Sequence, residues 1–265
     1  MMAGNGDRAV LLLHGLTGQP AEMHPVGKQL HRAGFTVHAP LLAGHGAGRK
    51  ALLASRWQDW LATADRAYAD LAATHASVHV AGICLGALLA VALAALRPVA
   101  SIAAYGTTFR YDGWSMPAVA ANRRLVLLGA GLPLVHRIGF RERAPYGLKD
   151  EKLRGFVVRA QRRANGGKVD SFPLGAVRQL YLLAGHVERI APLVTTPALI
   201  LHAREDDTSS LANAEHLRDR LGGEARLEIL EDSYHLIHLD RELDRVAALT
   251  AAFFGAREIR QTRHG

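Results

Sequence analysis

The chain carries a single cysteine, few aromatic residues, no long apolar run and no internal repeat, and each shortage excludes something. With Cys84 alone, no intramolecular disulfide can form, which fits a reducing compartment and leaves the thiol chemically free. The longest apolar run, LGALLAVALAAL from residue 85 to 96, falls short of the ~20 residues that a membrane-spanning helix needs. The amino terminus MMAGNGDRAV lacks the charged, apolar and small-residue order of a secretory leader, so the expected location is cytoplasmic. Without a repeat period or a low-complexity tract, solenoid and linker architectures drop out. His235 and His238 form an i, i+3 pair with no evident third ligand, so no metal and no cofactor is expected.

What is present is a 265-residue chain, 49% apolar, of a size suited to one α/β domain. Its net charge of +8 comes mainly from arginine, concentrated between residues 140 and 168 and in the tail AREIRQTRHG. Aromatics are not interleaved with these charges as in nucleic-acid modules, so no nucleic-acid partner is expected. A basic surface of this kind is either a solvated face or a dock for an anionic carrier such as coenzyme A or an acyl carrier protein.

Apolar runs alternate with helical patterns along most of the chain. AVLLLHG, FTVHAPLL, SVHVAGI, VASIAAYG, ALILHA and ARLEIL read as strands, separated by stretches such as WQDWLATADRAYADLAATH with apolar residues at helical spacing. This order predicts a mostly parallel, doubly wound sheet of about six to seven strands. From residue 107 to 192 the alternation fails, and ANRRLVLLGAG and GAVRQLYLLAGHVERI predict an inserted helical lid within one domain spanning 1–265. In such sheets the ligand site lies beyond the carboxyl ends of the strands, in loops beginning at His14, Pro40, Cys84, Thr107, Arg204 and Glu231.

One of those loops is the sequence GICLG. With Gly82 and Gly86 two residues either side of Cys84, it has the form of a nucleophile elbow with cysteine in the serine place. A buried structural thiol in a glycine-rich turn is the competing explanation. An elbow needs an acid and then a histidine further along the chain; Asp206 or Asp207 follows the strand ALILHA, and His235 or His238 follows ARLEIL. An oxyanion formed at this site needs two backbone donors, and Leu85 and Leu16 lie where they are required, after the nucleophile and in the loop HGLTG. His14 and His45 read as structural hydrogen-bonders.

Taken in order, AVLLLHGLTGQPAEM, GFTVHAPLLAGHG, WQDWLATADRAYADL, VHVAGICLGALLA, LILHARED and SYHLIHLD resemble the α/β-hydrolases of the carboxylesterase and monoacylglycerol lipase type, the serine aminopeptidase S33-type hydrolases. The resemblance implies the α/β-hydrolase fold, Cys84 as nucleophile, Asp206 rather than Asp207 as acid, His235 as base, and Leu16 and Leu85 as oxyanion donors. The chain departs from the family's pattern at the nucleophile, which is normally serine, and in the 107–192 segment, which carries no motif that maps onto the family.

Cysteine makes the expected acyl-enzyme a thioester, which exchanges readily with other thioesters. The leading expectation is an acyl hydrolase, a carboxylesterase or thioesterase, working on a small-molecule acyl ester or thioester. An acyltransferase using the same intermediate is the alternative. A hydrolase fold kept only for binding is the third, disfavoured because acid and base are both in place.

Overall fold

The computed structural model describes residues 1–4, 6–141, 143–164 and 171–261. Along it run β1 (Arg8–Leu13), α1 (His24–Arg32), β2 (Thr36–His38), α2 (Arg49–Ala54), α3 (Trp57–Ala72), β3 (Ser77–Ile83), α4 (Leu85–Ala94) and β4 (Ile102–Tyr105). There follow α5 (Ala118–Ala121), α6 (Arg123–Gly129), α7 (Pro133–His136), β5 (Gly139–Arg141), α8 (Glu151–Ala164), β6 (Ser171–Pro173) and α9 (Leu174–Ile190). The last elements are β7 (Ala198–Ala203), α10 (Ala212–Arg220), β8 (Ala225–Leu230) and α11 (Leu243–Gln261).

Six strands form one parallel sheet in the order β2-β1-β3-β4-β7-β8. This is the parallel, doubly wound sheet expected from the alternation, arranged as the α/β-hydrolase resemblance implies. Strands β1, β3, β4 and β7 are buried almost throughout, because helices cover both faces of the sheet; this is why they read as unbroken apolar runs. Right-handed crossovers place α1 on the face opposite α3 and α4, and α11 returns to pack on α1.

The chain leaves β1 toward one edge and β3 toward the other. That switch point is where a crevice opens at the strand carboxyl ends, and Leu13 of β1 pairs there with Gly82 of β3. Helix α4 begins directly above it. All its residues from Leu85 to Leu93 are buried, as an all-apolar helix demands, and Leu88, Leu89 and Leu93 contribute about 2 kcal/mol each by leaving water. The helix is thereby fixed as a rigid support for the residue that caps it.

The segment from 107 to 192 has two parts. Helix α9 buries Ala176, Val177, Leu180, Leu183, Ala184 and Val187 and packs on α4 and α3, so it belongs to the layer flanking the sheet. The outer part comprises α5 to α8 and an antiparallel β5–β6 ribbon whose Phe140 and Phe172 stack at 5.4 Å between ring centres. The sequence pattern points to helices alone here; three-residue strands are too short to show a period of two. Parts of the basic 140–168 stretch and of the C-terminal tail lie outside the described residues. Among the described residues no helix is long and apolar enough to cross a membrane.

Candidate active site

The turn between β3 and α4 holds Cys84 at φ 55° and ψ −109°, a left-handed conformation that a side chain resists and that tight packing on both sides sustains. The packing is explicit. A Cβ on Gly82 would lie 2.3 Å from the Gly86 carbonyl carbon, and one on Gly86 would lie 2.1 Å from the Leu13 carbonyl oxygen. Both clashes are with backbone, which cannot swing away. Gly86→Ala is therefore expected to lower stability by about 2–3 kcal/mol, read as a reduced urea midpoint at unchanged m, and an unchanged midpoint would refute the close approach.

Cys84 is 5% exposed and its N–H donates to the Tyr105 carbonyl at 3.0 Å, tying the elbow to β4. Its backbone caps α4, whose positive end favours an anion. Leu85 is the first residue of that helix, so its N–H is one of those the helix cannot pair. Leu16 is buried in the loop after β1, beside the elbow: a Cβ on the neighbouring Gly15 would be 3.8 Å from the Cys84 Cβ.

His235 comes from the loop after β8. Its ring lies near enough to Cys84 for the thiol to help raise its pKa, and its Nδ1 lies 2.8 Å from Oδ2 of Asp206. The other oxygen of Asp206 accepts the N–H groups of Thr208 and Ser209, each at 2.8 Å, and His202 Nε2 lies 3.3 Å from Oδ2. Burial alone would raise the Asp206 pKa, but the charge and hydrogen bond of His235, with His202 and Ser209, hold it below the usual range. Burial likewise favours neutral His235, yet Asp206 and Cys84 raise its pKa well above 6.5.

Asp207, the neighbouring candidate, is turned to structure. Its Oδ2 accepts the Gly147 N–H at 3.1 Å, its Oδ1 accepts the His235 N–H at 3.4 Å, and burial raises its pKa. His238 is fully buried with no hydrogen-bond partner on either ring nitrogen, and burial beside His235 lowers its pKa to about 3. It is a neutral packing residue. His14 accepts the Leu42 N–H on Nε2 at 3.1 Å and donates from Nδ1 to the Gly15 carbonyl at 3.0 Å, joining the loops after β1 and β2. His45 stacks edge-on against it at 4.9 Å. Among the described residues no cluster of three metal-ligating side chains occurs.

Tyr111 was not marked by any motif. It is fully buried, with its hydroxyl 4.0 Å from the Cys84 sulfur, and its ring packs against Phe140, Phe172 and Tyr181. Asn213 anchors this segment by accepting the Phe109 and Arg110 N–H groups at 2.9 and 2.8 Å. Glu22 is the second residue without a sequence signal, and its Oε1 accepts the Gly15 N–H at 2.7 Å. An acid inside the otherwise apolar turn PAEM, just past HGLTGQ, was the available clue.

Residues 4–242 match the family described as "Serine aminopeptidase, S33". The chain belongs to that family. It is 27% identical over 256 residues to a thermostable monoacylglycerol lipase of Bacillus sp. (strain H-257), covering 95% of this chain and 92% of the relative. It is 24% identical over 243 residues to a carboxylesterase of Bacillus subtilis (strain 168), covering 91% of this chain and 89% of that one. A solved structure described in work on LipS and LipT, two metagenome-derived lipolytic enzymes, superposes with a TM-score of 0.77 at 26% identity, over 97% of this chain and 96% of the other. The family usually carries serine where this S33-family chain carries Cys84.

Proposed function

We propose that the protein is an acyl hydrolase that cleaves ester or thioester bonds through an acyl-enzyme on Cys84, with His235 as proton carrier and Asp206 as its orienting acid. The coarser part, an ester-cleaving hydrolase, follows from S33 family membership and from relatives described as a carboxylesterase and a monoacylglycerol lipase. The finer part is supported by one observation above all: a buried cysteine held at positive φ at the start of α4, beside a histidine whose Nδ1 meets a buried carboxylate at 2.8 Å.

In this reading the Cys84 thiol gives its proton to His235 as the sulfur attacks the acyl carbonyl carbon, and the carbonyl π electrons move to oxygen. The N–H groups of Leu16 and Leu85 stabilise that oxyanion. When the carbon–oxygen or carbon–sulfur bond to the leaving group breaks, His235 supplies the proton that the departing alcohol or thiol takes up. A water molecule then gives its proton to His235 and attacks the thioester carbonyl, releasing the carboxylic acid and restoring the thiol–histidine pair. Asp206 stays ionised throughout and holds the imidazole tautomer. The substrate is a small-molecule acyl ester or thioester.

The burial of Cys84 beside Tyr111, which packs on Phe140 and Phe172, favours a second reading, an acyltransferase that excludes water until an acceptor binds. The basic outer segment would then suit an anionic carrier such as coenzyme A or an acyl carrier protein. Intact-protein mass after brief exposure to p-nitrophenyl esters and acyl-coenzyme A compounds separates the readings. An acyl adduct on Cys84 that decays in buffer is the expected result. An adduct that persists until an amine, alcohol or thiol is added means transfer, and no adduct with no product release overturns both.

A further inference from the structure

The turn after β1 contains a half-buried acid that the steps above do not use. Glu22 lies in the 3-10 turn Pro20–Met23, and its Oε1 accepts the Gly15 N–H at 2.7 Å. The carboxyl fills the space beside Gly18, where a Cβ would meet its atoms at 2.3 to 2.6 Å. Gly15 is the link to the nucleophile: a Cβ placed there would be 3.6 Å from Glu22 Oε1 and 3.8 Å from the Cys84 Cβ. One residue's width separates the acid from the elbow.

Between these glycines Thr17 has φ 66°. A β-branched residue in that conformation costs about 1–3 kcal/mol, so the turn needs outside support. The Gly18 N–H closes it onto the Gly15 carbonyl at 3.1 Å, His14 holds that same carbonyl at 3.0 Å, and Glu22 holds the Gly15 N–H. Leu16, the residue whose N–H the acyl-hydrolase reading assigns to the oxyanion, sits inside this bracket.

Of the titratable groups, His235 from the loop after β8 acts on the carboxyl directly, while Cys84 and His14 adjoin it through Gly15. Burial lowers the pKa of His14 to about 4, so it is neutral at pH 7. Burial raises the Glu22 pKa to about 7 in spite of the Gly15 and Gln19 N–H groups and His235.

We infer that Glu22 is a positioning residue: it holds the strained Gly15–Gly18 turn so that the Leu16 N–H faces the reacting carbonyl. The inference rests on the acyl-hydrolase reading and adds a part to it. The uncharged acid is the form suited to the task, since an ionised carboxylate beside the forming oxyanion opposes the charge that develops there. Glutamine reproduces the uncharged form; alanine leaves the Gly15 N–H without a partner.

The test measures turnover of a p-nitrophenyl ester by wild type, Cys84→Ala, Glu22→Gln and Glu22→Ala, together with the amide resonance of Gly15 across pH 5.5 to 8.5. Losing one oxyanion donor outright costs ~10²–10³ in kcat, so a displaced donor in Glu22→Ala is expected to lower kcat by roughly 10–10²-fold with KM nearly unchanged. Glu22→Gln should restore kcat at pH 6. In the wild type, kcat/KM should step down and the Gly15 amide should shift as pH rises through about 7, and both changes should vanish in Glu22→Gln. Wild-type kcat in Glu22→Ala overturns the role, as does a pH step that persists in Glu22→Gln. If Glu22→Ala does not fold, the glutamine variant carries the decision through the same two pH readouts. Wild-type turnover no higher than that of Cys84→Ala overturns the hydrolase reading itself, and this role with it, whereas a failure confined to the Glu22 variants leaves that reading intact.

Discussion

Replacing Cys84 by alanine is expected to lower ester turnover by ~10⁴-fold or more, to the level set by the binding surface alone, because in the proposed mechanism the Cys84 sulfur is the group that forms the acyl-enzyme. The fold should be unaffected. In the proposed mechanism the thiol's role is chemical, and alanine fits the same turn, so the urea midpoint of the variant should lie close to that of the wild type. Cys84→Ser is the sharper comparison. His235, Asp206, the α4 amino terminus and the glycines at 82 and 86 would serve an alcohol as they serve a thiol, so serine should retain turnover well above the alanine variant. It should also lower the His235 pKa, since the neighbouring thiol is part of what raises it. Steady-state rates of the three proteins on one p-nitrophenyl ester check the first claim. Equal rates in wild type and alanine variant would remove Cys84 from the mechanism.

Most of the sheet and the core of this site were legible in the sequence for specific physical reasons. Strands β1, β3 and β7 are covered on both faces and so appear as short apolar runs that glycine or polar loops bound. Gly82 and Gly86 stand out because only glycine tolerates backbone at 2.1 to 2.3 Å from where its Cβ would be. Chain order alone left Asp206 and Asp207 as alternatives, and the resemblance chose the first; the hydrogen-bond partners of the two carboxylates differ in a way that no spacing rule encodes. Tyr111 and Glu22 were hidden for another reason. Each reaches the site from a segment whose placement depends on long-range contacts: Tyr111 through Asn213 and Tyr181, Glu22 through Gly15. The β5–β6 ribbon is invisible because its two strands pair across a separation of some thirty residues with no alternating pattern in either.

Asp206→Asn tests the electrostatic design of the site more directly than any truncation. Asparagine keeps the size of the side chain but carries no charge, so two of the influences that raise the His235 pKa disappear while burial, which lowers it, remains. The His235 pKa should therefore fall from well above 6.5 toward or below that value, read from its ring-proton shifts against pH. The amide also offers an N–H where Nδ1–H needs an acceptor, which favours the wrong tautomer; the same change in a hydrolytic triad costs about 10⁴ in kcat. A loss of roughly 10³–10⁴ in kcat with KM nearly constant is expected here. Stability should follow the same titration. A histidine with a raised folded pKa adds stability that is fully present below its unfolded value of 6.5 and is lost as pH rises through the folded pKa. Asp206, with its pKa held down, adds stability present above 3.8 that is lost as pH falls through its folded value. The wild type should thus lose urea stability above pH 6.5 and again on the acid side, and Asp206→Asn should show a flatter curve at both ends. A variant whose His235 titrates as in the wild type would mean that Asp206 does not set the charge of that ring. The assignment of acid to residue 206 would then fail, whatever the change in rate.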